Sequence, residues 1–180
     1  MLNSGNRSRL SVYAVRPVPA AKSEVTAMAL YLVQHGHALP READPERRLS
    51  EQGCREVRLV ADLASDRRIP VSRIVHSGKM RADQTAHMLA EELLPEEGVA
   101  AREGLGPNDD VRALADSLDA ADNLMLVGHL PQLARLAGFL IAGTEDLMPV
   151  RFQMGGIVCL DRDAAGGPWY VRWTLMPVID

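Results

Sequence analysis

Three short apolar runs in this chain each stop at a small polar motif and are each followed by a helical pattern. That alternation admits few folds other than a parallel α/β sheet. The first run, Ala29-Leu-Tyr-Leu-Val33, stops at Gln34-His35-Gly36-His37. The second, Arg73-Ile-Val-His76, stops at Ser77-Gly78, and the third, Leu124-Met-Leu-Val127, stops at Gly128-His129. Ser50 is placed to cap a helix in which Val57, Val60 and Ala64 share a face, with Leu59 and Leu63 beside it. After the second run, Ala82, Ala86, Leu89 and Leu93 make one continuous stripe, and Pro95 and Gly98 end that helix. Residues 99 to 109 read as a polar loop, and Val111, Leu114, Ala115 and Leu118 mark a short helix. Pro131 stands where a first helical turn tolerates proline, ahead of Leu133, Leu136, Ala137 and Leu140. The chain closes on a predicted hairpin, Ile157 to Leu160 and Trp169 to Leu175, joined by Asp161 to Pro168. Trp169, Val171, Trp173 and Leu175 alternate as on a half-buried antiparallel strand. The expected architecture is an α/β three-layer sandwich, with a mostly parallel central sheet flanked by helices and a C-terminal hairpin at the sheet edge.

Composition narrows the function classes. At 180 residues and 47% hydrophobic content, the chain can bury one sizeable core. Its 24 acids against 20 bases, a formal net charge of -4, argue against a nucleic-acid-binding surface or a polybasic membrane anchor. Aromatics at 4% disfavour a base-stacking platform. No apolar run approaches the ~20 residues of a membrane-spanning helix. Cys54 and Cys159 have no partner spacing for a disulfide or a zinc site, so both read as small apolar residues in a reducing, cytoplasmic setting. Residues 1 to 27 are basic and acid-poor, with Arg7, Arg9, Arg16 and Lys22 against Glu24. They are set apart as a non-catalytic extension, read either as an organelle transit peptide or, given Met28, as an upstream-extended start, ahead of a catalytic domain over 28–180.

The chemistry converges where the strands end. Ligands of open parallel sheets bind outside the carboxyl ends of the strands, so the three polar motifs point into one crevice. Two histidines, His35 and His129, reach it, and Arg81 joins them if it faces the same way. The following helix N-termini add N–H groups aimed at an anion. His76, His87, Trp169 and Trp173 are read as packing residues, and Arg47-Arg48 as solvated cations near the mouth, placed to steer an anionic protein.

These residues resemble the histidine phosphatase superfamily, which has a phosphoglycerate mutase-like fold, and within it the small SixA-type phosphohistidine phosphatases. The resemblance rests on four blocks in order: Leu30-Tyr-Leu-Val-Gln-His-Gly36, Asp44-Pro-Glu-Arg-Arg-Leu-Ser-Glu-Gln-Gly53, Ser77-Gly-Lys-Met-Arg-Ala-Asp-Gln-Thr-Ala86 and Val127-Gly-His-Leu-Pro131. It implies a phosphatase needing no metal or other cofactor, with His35 as the nucleophile, Arg81 as a phosphate clamp and His129 holding phosphoryl oxygens. Gln34, Gly36, Ser77 and Glu103 would complete the substrate site. It also implies a partner protein bearing phosphohistidine, such as a phosphorelay or phosphotransfer domain, acted on by a monomer or weak dimer.

The chain departs from the family pattern in three places. Gln34 stands where relatives carry arginine before the nucleophile, which removes a charge and a bidentate fork. His37 replaces a common acid and Gly78 a common proline. The general acid is open among Glu103, Asp109 and Asp110. Two alternatives follow: a small-molecule phosphoester phosphatase of the same superfamily, and a catalytically weakened pseudoenzyme that binds phosphohistidine without turnover. His35-x-His37 also resembles the metal dyad of amidohydrolase barrels, but those usually need ~250 residues and further metal ligands.

Overall fold

The protein is described by a computed structural model that covers residues 29–162 and 167–177. The expected extension over residues 1–27 and the tip of the closing hairpin lie outside these residues. The strands are β1 (Leu30–Gln34), β2 (Arg73–His76), β3 (Val99–Ala101), β4 (Leu124–Gly128), β5 (Ile157–Arg162) and β6 (Trp169–Leu175). The helices are α1 (Glu51–Asp66), α2 (Met80–Leu93), α3 (Val111–Ala115) and α4 (Gln132–Ala142), with a 3₁₀ turn at Ala120–Asp122. One sheet runs β3-β2-β4-β1-β5-β6, with β1 to β4 parallel and β5 and β6 antiparallel.

The near-continuous apolar runs are explained by layers on both faces of the sheet. Tyr31 and Val33 pack towards α1 and α2 with Val57, Val60, Ala64, Ala86 and Leu89. Leu30 and Leu32 pack towards α3 and α4 with Val111, Leu114, Leu133 and Leu136. Each such side chain contributes about 1.5–3 kcal/mol on burial, so β1 anchors both cores. Ser50 caps α1 by accepting from Gly53 N–H at 3.1 Å. Leu59, expected beside the apolar face, turns to solvent.

Four local expectations are corrected. The polar loop over 99–109 begins with the edge strand β3, paired to β2 from Ile74↔Val99 to His76↔Ala101. Three residues carry no readable period, so tertiary pairing alone makes this strand. The short helix ends at Ala115, although Leu118 is still buried in the second core. In β6 the alternation breaks, because Cys159↔Trp173 is followed by Leu160↔Val171. This bulge gives β6 one residue more than β5 and re-aims the side chains on either side of it. Trp169 therefore joins the α3–α4 core while Trp173 packs against the α1–α2 core, and Val171 is exposed. The β5 strand also extends to Arg162, taking two residues from the expected loop.

Candidate functional site

The site follows from register. Gln34 pairs with Gly128 across the parallel β1–β4 ladder, and His35 N–H donates to Gly128 O at 3.2 Å. The next residue on each strand, His35 and His129, therefore emerge side by side, with ring centroids 4.9 Å apart. On the other side of β4, β2 ends at His76 opposite Val127, which delivers Ser77 to the same place. Ser77 Oγ lies 2.6 Å from His129 Nε2. At the second residue of α2, Arg81 Nε–H donates to His35 Nε2 at 3.0 Å.

The hydrogen bonds assign the His35 tautomer. Nδ1 lies 2.7 Å from the Gly36 carbonyl, which can only accept, so Nδ1 carries the proton. Nε2 faces a guanidinium N–H and is therefore the bare nitrogen. Burial, reinforced by the nearby Arg81, Arg47 and His37, pushes the His35 pKa down to about 4. Burial with His35, Arg81, Lys79 and Arg47 nearby pushes His129 down to about 3. Both imidazoles are neutral at pH 7. His129 Nδ1 is buried and has no hydrogen-bond partner among the described residues.

The loop after His35 is packed tightly enough to require two glycines. A Cβ on Gly36 would sit 2.7 Å from Val57 Cγ2, and one on Gly53 would sit 2.1 Å from the His37 carbonyl oxygen. Gly36 spends its N–H on Thr85 Oγ1 at 3.0 Å, and Thr85 hydroxyl in turn donates to the Arg81 carbonyl at 2.7 Å. Thr85 is fully buried, and it ties the loop that carries His35 to the helix that carries Arg81. It belongs to the motif Ser77 to Ala86, but its role is invisible in sequence because the contact spans 49 positions. Gln84 on the same helix accepts from Leu49 N–H at 2.8 Å and holds the entry to α1.

A polar crevice of this kind, with two neutral imidazoles and a guanidinium at the carboxyl ends of three parallel strands, suits a tetrahedral oxyanion. No protein-family model matches the sequence. The phosphohistidine phosphatase SixA of Escherichia coli K12 is 28% identical over 157 residues, which cover 83% of this chain and 94% of that protein. The solved structure of the protein histidine phosphatase SixA complexed with tungstate superposes with a TM-score of 0.72 at 26% identity, covering 83% of this chain and 97% of that one. This chain is similar to SixA over most of its length. A structure assigned as SixA from Agrobacterium tumefaciens is similar at TM-score 0.68 and 28% identity, over 84% of this chain and 99% of that one. The six-stranded sheet between helical layers matches the phosphoglycerate mutase-like fold.

Of the residues singled out in the sequence, His35, Arg81, His129 and Ser77 come together, with Gly36 as their backbone support. Gln34 is buried at the end of β1, and among the described residues nothing meets its side-chain amide in a hydrogen bond. Glu103 is exposed in a depression that it shares with Ser77 and Lys79. The other two acids are engaged: Asp109 accepts from Gly106 N–H at 2.8 Å and Asp110 caps α3 through Arg112 N–H at 2.9 Å. Buried Gln132 anchors the Glu103 loop by donating to the Gly104 carbonyl at 2.9 Å.

The two arginines at the mouth separate. Arg48 turns to Asp44 and Glu46. Arg47, held at φ 56, extends its charge to His35, Arg81 and His129. Gly78 adopts φ +78, which proline cannot reach, so the β2–α2 turn takes its own conformation here. Its N–H donates to His76 Nδ1 at 3.3 Å, and His76 Nε2 lies 3.3 Å from Asp83 of α2. His37 lies 3.6 Å from Glu56. Among the described residues, no group of three or more His, Cys, Asp or Glu is arranged to hold a metal ion, and no helix is long and apolar enough to cross a membrane.

Proposed function

We propose that this protein is a phosphohistidine phosphatase that hydrolyses the N–P bond of phosphohistidine on a partner protein, with the phosphoryl group passing through His35. The observation that carries the reading is the bare Nε2 of His35, set 3.0 Å from the Arg81 guanidinium and against the His129 ring. A neutral imidazole is a good nucleophile, and the guanidinium beside it can take up charge on the transferring oxygens. The tungstate held by a similar SixA structure is an oxyanion of the matching shape.

In the first step His35 Nε2 forms a bond to phosphorus as the bond to the substrate imidazole breaks. That imidazole nitrogen leaves with a proton, from Glu103 or from water. In the second step a water oxygen bonds to phosphorus, the P–Nε2 bond breaks, inorganic phosphate leaves and Nε2 regains its lone pair. Arg81, His129 and the Ser77 hydroxyl hold the equatorial oxygens through both steps, where fixed donors act most strongly. Glu103 is the acid left free once Asp109 and Asp110 are committed to backbone groups. An imidazole can depart already protonated, so an exposed acid suffices for an N–P substrate.

The test is incubation with a phosphohistidine protein and with phosphoramidate. An acid-labile phosphoryl group on the enzyme, lost in His35→Ala, together with released phosphate, supports the reading. Turnover no faster than that of His35→Ala overturns it. The unpartnered, uncharged Gln34 amide favours a second reading, binding of phosphohistidine without turnover. That reading requires retained binding with no label on His35.

A further inference from the structure

Beside the histidines lies an open depression of about 510 Å³ walled by two separate segments, the loop before α1 and the β2–α2 turn. Its lining includes Arg41, Arg47, Lys79 and Arg81, against a single acid, Glu46. Glu46 is already paired with Arg48, which also holds Asp44 at 3.2 Å. Arg41 and Lys79 are exposed and meet no carboxylate among the described residues. Four cations with one spent acid, in a chain of net charge -4, make a strong local inversion of sign. The wall is also pre-shaped. Asp44 N–H donates to the Pro40 carbonyl at 3.0 Å, Asp44 carboxylate accepts from Arg48 N–H at 2.8 Å, and Leu39 N–H donates to the Arg48 carbonyl at 2.8 Å.

We infer that this depression is a docking surface for acidic side chains flanking the phosphohistidine of the partner protein. The inference rests on the phosphatase reading and names its substrate class: phosphohistidine in an acidic local sequence. Arg81 belongs to both the site and the depression, so an occupant of the depression lies directly beside the phosphoryl group. The depression is open rather than enclosed, which fits a protein segment laid across it better than a small metabolite wrapped by a lid. Long flexible cations at a rim set association rate and partner choice.

Two phosphohistidine peptides of one sequence test this, one with Asp and Glu flanking the phosphohistidine and one with Ala in their place. Wild-type kcat/KM is expected to favour the acidic peptide at least tenfold, and the preference is expected to fall as salt rises. Arg41→Glu is expected to cut the preference at least threefold while leaving phosphoramidate hydrolysis within twofold. Arg41→Glu/Lys79→Glu is expected to abolish it. Equal rates on the two peptides, or a preference that survives the double change, overturns the surface. Binding of both peptides to His35→Ala reads the depression without turnover, so a tenfold affinity preference there upholds the surface even if the phosphatase reading fails. Stronger competition by pyrophosphate than by the acidic peptide also overturns it, in favour of a small polyanion.

Discussion

Arg81 Nε and His35 Nε2 stand 3.0 Å apart, although 46 positions separate them in the chain. The guanidinium identifies the bare nitrogen of His35, and in the proposed reaction it lies where charge develops. Arg81→Ala is expected to lower kcat/KM on phosphoramidate by about 10²–10³, the usual loss for one preorganised charge-stabilising donor. Arg81→Lys restores a point charge without the planar fork and recovers only part of that loss. A steady-state comparison of the three proteins checks this, and wild-type rates in Arg81→Ala would remove the residue from the reaction.

The pH profile follows from burial. With the His35 pKa down at about 4, the proposed nucleophile is unprotonated well below the ordinary histidine range. The acid limb of kcat/KM is expected near pH 4 rather than near 6.5. A limb at 6.5 would mean that His35 is solvated when it reacts.

The same two histidines link stability to acid. Folded His35 and His129 titrate at about 4 and about 3, both below the unfolded value near 6.5. Between those values the unfolded chain binds more protons, so stability is complete above about 6.5 and declines as pH falls towards 3. Urea midpoints measured from pH 7 to pH 4 should fall, and less steeply in His129→Gln. An unchanged slope in that variant would show that other groups dominate.

Thr85→Val keeps the shape of the side chain but strands the Gly36 N–H in a buried position. A loss of about 1–3 kcal/mol in unfolding free energy is expected, with Thr85→Ser near wild type. Denaturant unfolding of the pair measures it. Since the threonine also ties His35 to Arg81, kcat should fall with stability in the valine variant.

Gln34→Arg adds a positive charge directly before His35, and a gain on the order of tenfold in turnover is expected, since each 1.36 kcal/mol is tenfold. The cost of Arg47→Ala should shrink in that background if Arg47 already supplies part of the missing charge. Equal costs in both backgrounds would show that the two positions act independently.

The β2–α2 turn at Gly78 offers a separate check. Proline there would need a negative φ and would delete the N–H that meets His76, whereas the glycine sits at φ +78. Gly78→Pro is expected to cost more than about 1 kcal/mol and to impair Arg81-dependent turnover. A Gly78→Pro protein with wild-type stability would mean that the turn can adopt a negative φ at no cost.

The order of strands and helices, the two histidines and Arg81 were legible in the sequence because each rests on a local signal: an apolar run, a periodic helix face, a motif at a strand end. The edge strand at Val99–Ala101 was not, since three residues show no period until β2 offers a ladder. Nor was the split of Trp169 and Trp173 between two cores, which depends on one bulge against Cys159 and Leu160. Among the acids, Glu103, Asp109 and Asp110 look alike in sequence, and only their hydrogen bonds tell the engaged from the free.

Sequence by itself determined which chemical groups this protein owns and that they lie at the ends of strands, because short-range propensity and patterning set those elements. Tertiary structure alone decided which groups meet. The parallel register of β1 and β4 sets His35 beside His129, and buried Thr85 joins the His35 loop to the helix of Arg81. Burial then removes the protons that make the histidines ordinary, and desolvation of that kind exists only once the chain has closed around them.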